Sequence, residues 1–220
     1  MATVEPIERA SLSDRVADEV RRRIWTGELR GGDRLGQEEL ASSLGVSRVP
    51  VREALIALTH QGVVRTEPHR GSFVEALSAT AITDHYDLYA HLDGFALRKA
   101  VERAGPSERR GLAALMVAAG DVTVAASMQS AVAEIRSSFH RLGGSPRFHA
   151  VARGLAGIVP GNFFHEVAGS IDVACAAYPP MGAAVAQGDA ASAVERYETM
   201  IRGHGELVLA VLRRATLVAE

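Results

Sequence analysis

Residues 45–55 read GVSRVPVREAL and predict the start of a helix with two different faces. Gly45 follows the short segment QEELASSL and stands where a left-handed helix cap is favoured. Ser47 is a typical N-cap residue, and Pro50 falls in the first turn, where a missing N–H has no intrahelical partner to lose. The apolar positions that follow have the spacing of one helix face: Val51, Ala54, Leu55 and Leu58.

Arg48, Val49 and Arg52 lie on the opposite face of this predicted helix. The first turn of a helix has unpaired backbone N–H groups, so this end can meet phosphates or base edges. An arginine that binds guanine in two-pronged fashion is the commonest specific base contact, with roughly 1 to 3 kcal/mol of discrimination. On an arbitrary helix, two arginines four residues apart would be a solvated face. The surrounding elements therefore have to decide between a solvated face and a DNA-contacting surface.

The elements on either side complete a recognisable unit. Upstream, SLSDRVADEVRRRIWTGEL has an apolar stripe at steps of four, formed by Leu12, Val16, Val20 and Ile24. Downstream, VVRTEPHRGSFVEAL contains two extended runs around a PHRG turn. The order of helix, short helix, helix and hairpin predicts a winged helix-turn-helix whose third helix enters the major groove. The hairpin would contact DNA through its tip residues, His69, Arg70 and Gly71.

From Ser78 onward the sequence is alanine-rich and has helical patterning without further strand signals. The predicted helices cover residues 79–103, 107–126, 128–142, 146–157, 162–177, 180–187 and 190–215. Turn residues separate them in AGPSE, GGSP, VPGN, YPP and QGD. The predicted fold is therefore mainly α: a mobile tail over 1–10, a winged helix-turn-helix over 11–77, and an antiparallel helical bundle for ligand binding and dimerisation over 78–220.

Composition narrows the function further. The formal net charge of −2 over 220 residues argues against bulk electrostatic coating of nucleic acid, so any DNA contact must be local. The sequence contains no run long enough to span a membrane, and its polar start lacks the features of a signal peptide, which predicts a cytoplasmic protein without a membrane partner. The single cysteine, Cys175, lies in the apolar stretch IDVACAAY and is predicted to be a core residue.

The first 75 or so positions resemble the DNA-binding domain of the GntR transcription regulators. The matching stretches are GDRLGQEELASSLGVSRVPVREALIALTHQGVV and HRGSFV. This resemblance implies DNA contacts from the recognition helix and from the wing, through Ser47, Arg48, Val49, Pro50, Arg52 and Gly71. One departure is Glu38, because some relatives have an additional arginine contact at the start of the second helix.

The helical region resembles the ligand-binding domain of the FadR-type (FCD) branch of that family, over DHYDLYAHLDGFALRKAVER, SSFHRLGGSPRF and AAVAQGDAASAVERYETMIRGH. Many members of that branch hold a divalent metal through one aspartate and three histidines, with a carboxylate ligand nearby. The corresponding positions here are Arg136, His140, Tyr178 and His204. Two nitrogen ligands with a cation in place of the carboxylate make a poor divalent site, so we expect no metal or other cofactor; any metal would be held by His140 and His204.

The same positions suggest another way to hold an acidic effector. Arg136 could bind a substrate carboxylate directly by a two-pronged, charge-assisted contact, and Tyr89 stands where the family has an arginine on its first bundle helix. Alternatively, Arg136 points to solvent and His140 is an ordinary core histidine. The candidate effector-binding residues are Tyr89, Arg136, His140, Tyr178 and His204.

Three functions remain open at this point. The sequence favours a dimeric repressor that senses a small organic acid and binds a palindromic double-stranded DNA operator, since symmetric operators match symmetric dimers. A second hypothesis is a constitutive DNA-binding regulator whose helical bundle serves only for dimerisation and binds no effector. A third is a metal-dependent hydrolase that uses His140, His204 and a carboxylate such as Glu134 or Glu198, although HExxH, GxSxG and P-loop signatures do not occur in the sequence.

Overall fold

The computed structural model describes residues 11–155 and 158–218, and the chain divides into two compact units between Ala76 and Leu77. The predicted tail over 1–10 and the last two residues of the helix predicted over 146–157 lie outside the described residues. The fold is mainly α, with a small sheet in the first unit and helices throughout the second. This confirms the predicted fold class.

The first unit contains three helices and a three-stranded antiparallel sheet. Its elements are α1 (Leu12–Trp25), β1 (Arg34–Leu35), α2 (Gln37–Leu44), α3 (Arg48–His60), β2 (Val64–Glu67) and β3 (Gly71–Val74). Helix α1 packs on α3, and Val20, Val51 and Leu58 are fully buried. Leu12, which the sequence placed in the apolar stripe, is 47% exposed because it is the first residue of α1, ahead of the part that is buried.

The sheet has one strand more than the predicted hairpin. Strand β3 lies in the middle, with β2 on one side and β1 on the other, and Arg34 is opposite Phe73 in the β1–β3 pair. The order predicted from the sequence, helix, short helix, helix and hairpin, has no strand in the segment GELRGGDRL between α1 and α2. A strand of two residues is too short to show the period-2 alternation on which strand prediction depends.

Two predicted caps near α3 have different outcomes. Gly45 adopts the left-handed conformation at φ +65°, which confirms the predicted end of α2. Ser47 occupies the N-cap position with extended backbone, but its side chain forms no cap hydrogen bond, so that part of the prediction is wrong. The Ser47 side chain is exposed at the start of α3.

The second unit is a bundle of helices. Its elements are α4 (Ala79–Arg103), α5 (Pro106–Ala119), α6 (Ala125–Gly143), α7 (Pro146–Gly154), α8 (Phe163–Glu166), α9 (Ser170–Gln187) and α10 (Ala190–Arg214). Helix α4 packs against α6 and α10, while α9 packs against α5 and α10. No helix in the described ranges is long and apolar enough to cross a membrane.

Several helix boundaries differ from the prediction. The predicted break at YPP is wrong, because α9 continues through Pro179 and Pro180. The predicted helix over 162–177 is instead divided by Gly169, whose φ of +83° ends the helical path between α8 and α9. Helix α5 ends at Ala119, before the predicted residue 126.

Helices α4 and α6 approach each other closely at Gly143. A Cβ atom at this position would lie 2.0 Å from the carbonyl oxygen of Ala96 and 2.9 Å from the amide nitrogen of Ala100. Only glycine lets the two backbones come this near. The approach holds the C-terminal half of α6, including Arg136 and His140, against the middle of α4.

Candidate functional site

Helix α3 presents the predicted recognition surface to solvent. Arg48, Val49 and Arg52 are exposed, with Val49 exposed to 55%, while the opposite face of the helix is buried. Pro50, which the family resemblance also implicated in DNA contact, is buried in the core of the unit. The exposed strip at the N-terminal end of α3 therefore consists of two arginines and a valine, with Ser47 at the cap.

The two arginines of α3 differ in their partners. The Nη1 of Arg48 donates to Oε1 of Glu38 on α2 at 2.7 Å, and both side chains are largely exposed. Arg52 forms no ion pair with any residue that the structure describes. Glu38, which stands where some relatives have an arginine, thus places a negative charge beside the recognition helix and partly neutralises Arg48.

The wing brings further basic groups together. His69 and Gly71 both have left-handed backbones, at φ +61° and +102°, and they form the tip between β2 and β3 with Arg70. Arg34 of β1 lies beside Gly71, since a Cβ on this glycine would be 3.6 Å from the Arg34 Nε. Arg34 was missed in the sequence because the strand that carries it was missed, and it adds a cation to the wing that the predicted hairpin lacked.

The second unit contains a cavity of about 850 Å³, bounded by residues of α4, α6, α7, α8, α9 and α10. A cavity of this size is within the range of small-molecule sites in proteins. All five predicted effector-binding residues line it: Tyr89, Arg136, His140, Tyr178 and His204. The structure therefore brings together side chains from four separate helices.

A buried carboxylate that the sequence analysis missed organises one wall of the cavity. Asp93 of α4 is fully buried, and its Oδ2 accepts from the Arg136 Nε at 2.8 Å and from the Tyr197 hydroxyl at 2.7 Å. Its Oδ1 accepts from the His140 Nε2 at 2.8 Å. Burial alone would raise the pKa of Asp93, but the hydrogen bond from His140 and the charge of Arg136 outweigh it and hold the pKa below its usual value.

This network defines the orientation of Arg136. The guanidinium carbon lies 4.9 Å from the ring centre of Tyr89, as in a cation–π contact, while its Nε is held by Asp93. The side chain is 29% exposed and lines the cavity, so Arg136 is a cavity-wall residue and not a solvent-facing one. His140 is bound to the buried Asp93 and also lines the cavity.

Tyr178 and His204 differ in how their polar atoms are satisfied. The Tyr178 hydroxyl is buried and has no hydrogen-bond partner among the described residues, although it belongs to the cavity lining. The Nε2–H of His204 donates to the backbone oxygen of Ser170 at 3.1 Å. Burial lowers the pKa of His204 to about 4, so this imidazole is neutral near neutral pH.

These side chains fit a divalent metal poorly. No group of three or more His, Cys, Asp or Glu side chains suitable for a metal ion occurs in residues 11–155 and 158–218. Asp93, the nearest carboxylate to His140, already accepts from a guanidinium, and a cation at the same oxygens would be repelled by Arg136. The Nε2 of His204 donates a proton to a carbonyl and offers no lone pair there.

A three-helix unit with an exposed, arginine-bearing third helix and a β-wing defines a winged helix-turn-helix DNA-binding protein, here joined to a helical bundle with an internal cavity. Residues 12–74 match the family described as "Bacterial regulatory proteins, gntR family". An uncharacterized HTH-type transcriptional regulator of Mycobacterium tuberculosis is 33% identical over 172 residues, which are 78% of this chain and 70% of the relative. The chain belongs to the gntR family of DNA-binding transcriptional regulators.

Two further comparisons cover different parts of the chain. The gluconate operon transcriptional repressor of Bacillus subtilis is 35% identical over 96 residues, which are 44% of this chain and 39% of the repressor. The solved structure of E. coli McbR/YncC superposes with a TM-score of 0.61 at 19% identity, over 92% of this chain and 99% of that chain. The second comparison shows a shared fold that includes the helical bundle.

Proposed function

We propose that this protein is a cytoplasmic, dimeric repressor that binds a palindromic operator and responds to a small organic acid bound in its helical unit. The observation that carries the proposal is the surface of α3, where Arg48, Val49 and Arg52 are exposed above a fully packed inner face. Because the net charge of the chain is −2, affinity for DNA has to come from this local surface and the wing.

Repression is supported by the 35% identity over 96 residues with a gluconate operon transcriptional repressor. A regulator that occupies its operator only in one ligand state requires a sensing site, and the cavity of the second unit supplies one. Ligand can release the operator only if it binds more tightly to the arrangement that is incompetent for DNA. We also propose that the helical unit belongs to the FadR-type branch, which is supported by the fold that it shares with E. coli McbR/YncC.

The cavity chemistry favours an anionic ligand. None of the described lining residues is an aspartate or glutamate, whereas Arg136 and Arg141 are among them. Asp93 lies behind the cavity wall, where its negative charge compensates the positive charge of Arg136. Because Asp93 accepts from the Nε of Arg136, the other N–H groups of the guanidinium stay available to a ligand carboxylate. Aromatic and aliphatic side chains on the remaining walls fit an apolar body attached to the acid group: Tyr86, Val132, Leu155, Phe163, Met200 and Ile201.

The DNA-binding half of the proposal is tested by titrating the purified protein against DNA from immediately upstream of its own gene, at two salt concentrations. Wild type should bind in the nanomolar range and resist competition by unrelated DNA. Arg52→Ala should weaken specific binding by roughly 1 to 3 kcal/mol, because Arg52 is the arginine of α3 that forms no ion pair with a described residue and is free to contact a base.

Arg15→Ala is the matched control, since Arg15 is an exposed arginine of the same unit on α1 and its removal changes the net charge equally. Equal weakening by both substitutions would mean that α3 has no special role and would refute the assignment of the reading surface. A protein that binds only weakly, at low salt, to every fragment tested across the genome would refute sequence-specific regulation.

The ligand half is tested by thermal shift against a panel of mono- and dicarboxylic acids, followed by operator release with any acid that raises the melting temperature. An acid that binds should lose affinity in Arg136→Met. The constitutive alternative is favoured by a different result: operator binding that no acid alters, together with no thermal shift at millimolar ligand.

A further inference from the structure

A carboxylate lies within the basic surface at the start of α3. Glu38 is in the first turn of α2, and its side chain is 78% exposed. Its Oε1 accepts from the Arg48 Nη1 at 2.7 Å, and the Arg48 side chain is 64% exposed. The two side chains therefore present a hydrogen-bond donor and an acceptor side by side at the N-terminal end of α3.

The negative charge of Glu38 is unfavourable for contact with the DNA backbone, because phosphates repel it. A carboxylate in the first turn of a helix does interact favourably with the helix dipole, but Glu39 supplies a second carboxylate to the same turn of α2. The favourable DNA partners of a carboxylate are the amino groups of bases in the major groove, above all the N4 amino group of cytosine. A base contact would therefore give Glu38 a role that a phosphate contact cannot.

The polar groups of Glu38 and Arg48 are complementary to one G·C base pair. In the major groove, this pair presents the guanine acceptors N7 and O6 and then the cytosine donor N4–H, in that order. Arg48 offers two neighbouring donors, and Glu38 offers the acceptor next to them. Guanine O6 and cytosine N4 are joined by a base-pair hydrogen bond of roughly 2.9 Å. This distance is close to the 2.7 Å between Nη1 and Oε1, so both contacts can form without breaking the ion pair.

The other three base pairs fit this arrangement less well. A T·A pair keeps an acceptor opposite Arg48 and an amino group opposite Glu38, but it has the thymine methyl group where guanine has N7. The two reversed pairs, C·G and A·T, put an amino group against the guanidinium and an acceptor against the carboxylate. The order of donors and acceptor at the start of α3 therefore discriminates one base pair, including its orientation.

We propose that Glu38 and Arg48 act as one unit that reads a single G·C base pair in each half-site, with Arg48 on guanine and Glu38 on cytosine. The proposal rests on the reading surface of α3 in the proposed function and adds to it a residue of α2 that determines base specificity. A carboxylate that only reduced the charge of Arg48 would weaken binding to all sequences alike. A carboxylate that reads cytosine changes the preference at one position.

The test begins with sequences that the full-length wild type enriches from a random double-stranded DNA library. Each position of the enriched half-site is then replaced, and the dissociation constant is measured by titration. At one position, reversal of G·C to C·G should weaken binding by at least about tenfold. Glu38→Ala and Arg48→Ala should both reduce this penalty, and at the same position, whereas Arg52→Ala should alter a different position.

Glu39→Ala is the matched control, because it removes an equal charge from the neighbouring exposed position of α2. It should change the affinity for all sequences by a similar factor and leave the base preferences unaltered. Circular dichroism would establish that each variant is folded.

A base analogue tests the contact from the DNA side. Replacing the cytosine by 2-pyrimidinone removes the N4 amino group, so wild-type binding should weaken by about fivefold, within the usual cost of one altered base pair. The same replacement should cost Glu38→Ala less, because that variant has no acceptor to lose. The wild-type measurement keeps the test decisive if Glu38→Ala fails to fold.

Two results would overturn the proposal: base preferences that Glu38→Ala leaves unchanged at every position, or Glu38→Ala and Arg48→Ala acting at different base pairs. A wild type that enriches no sequence would refute both this proposal and the proposed sequence-specific regulation. An enriched sequence that Glu38→Ala still binds with the wild-type preferences would refute only the role of Glu38, so the two failures are distinguishable.

Discussion

Asp93 has a full negative charge at a position that water does not reach, and three donors compensate for the cost of its burial. Removing one partner from a buried ion pair typically costs about 3 to 5 kcal/mol, because the other charge is left uncompensated. Arg136 is therefore fixed in place before any ligand arrives. A preorganised guanidinium loses less conformational entropy on binding a carboxylate than a mobile surface arginine would.

Tyr178→Phe separates ligand binding from stability. The Tyr178 hydroxyl is buried without a partner in the described chain, so its loss should leave the melting temperature of the ligand-free protein unchanged or higher. If the hydroxyl binds the effector, the same variant should bind that effector about tenfold more weakly, close to the value of one net hydrogen bond. A variant with a lower melting temperature and unchanged effector affinity would contradict this role of Tyr178.

His204 should make the stability of the helical unit depend on pH. Its folded-state pKa of about 4 lies below the ordinary value of 6.5, so the unfolded state takes up the proton first as pH falls. The contribution of the neutral, buried His204 to the free energy of unfolding is fully present above pH 6.5. It is lost as pH falls towards 4 and amounts to about 3 kcal/mol.

Denaturant titration at pH 7 and pH 4.5, followed by circular dichroism, measures this effect. His204→Gln should flatten the pH dependence, since its amide can still donate to the Ser170 oxygen. His165→Gln is the control, because His165 is exposed. An unaltered pH profile in the His204 variant would show that another group titrates.

Glu38 should determine how strongly Arg48 contributes to DNA binding. The carboxylate partly neutralises Arg48 at 2.7 Å, so Glu38→Gln should free one cation for a phosphate. Binding to non-specific DNA should become tighter, and the salt slope of log K should steepen by about 0.9. An unchanged salt slope would mean that Arg48 already leaves Glu38 and contacts a phosphate when the wild-type protein binds DNA.

At the level of elements, the contact between α4 and α6 depends on a residue without a side chain. Gly143→Ala would place a methyl group 2.0 Å from the Ala96 carbonyl oxygen, and neither backbone can yield easily. We expect a loss of at least about 1 to 3 kcal/mol in the free energy of unfolding, with displacement of Arg136 and His140. Gly111→Ala in α5 meets no atom within 4 Å and should instead stabilise by about 0.5 to 1 kcal/mol. Equal melting temperatures for the two variants would contradict the close packing.

The helices that the sequence predicted least well are those where packing overrides local signals. Pro179 and Pro180 remove backbone donors and favour a break, yet α9 continues because its buried stripe continues through them, from Ala174 and Tyr178 to Val185. Pro179 also packs against Gly120, where a Cβ would lie 2.4 Å away. The uninterrupted apolar spacing in the sequence indicated one continuous helix, but the prediction gave more weight to the proline pair and placed a break there.

The position of a side chain could be predicted from sequence where the pattern is local, but not where tertiary structure brings the side chain into place. The exposed arginines of α3 follow from spacing within one helix, whereas Arg34 reaches the wing only through pairing of β1 with β3. One feature of the sequence could have indicated Asp93: it is a lone carboxylate within the buried stripe of α4 that includes Ala90 and Leu97. Its partners lie more than 40 positions away along the chain, so no local pattern could identify them.

On the scale of the whole molecule, one unit has the exposed surface of α3 and the wing, and the other has the cavity. A single recognition helix reads only a few base pairs, so high affinity requires two heads on one DNA molecule. The dimer of the proposed function would supply the second head. Affinity for the operator should therefore depend on protein concentration through dimerisation as well as on base contacts.

The spacing of operator half-sites should accordingly be restricted. Two heads of one dimer reach half-sites that lie on the same side of the duplex, about 10 to 10.5 base pairs or a multiple of that apart. Inserting about 5 base pairs, half of that repeat, turns one half-site to the opposite side, and binding should weaken to that of a single half-site. Inserting a full turn keeps the side but changes the distance, so partial recovery would measure how far the heads can separate. Wild-type affinity that does not change with spacing would show instead that the heads bind independently.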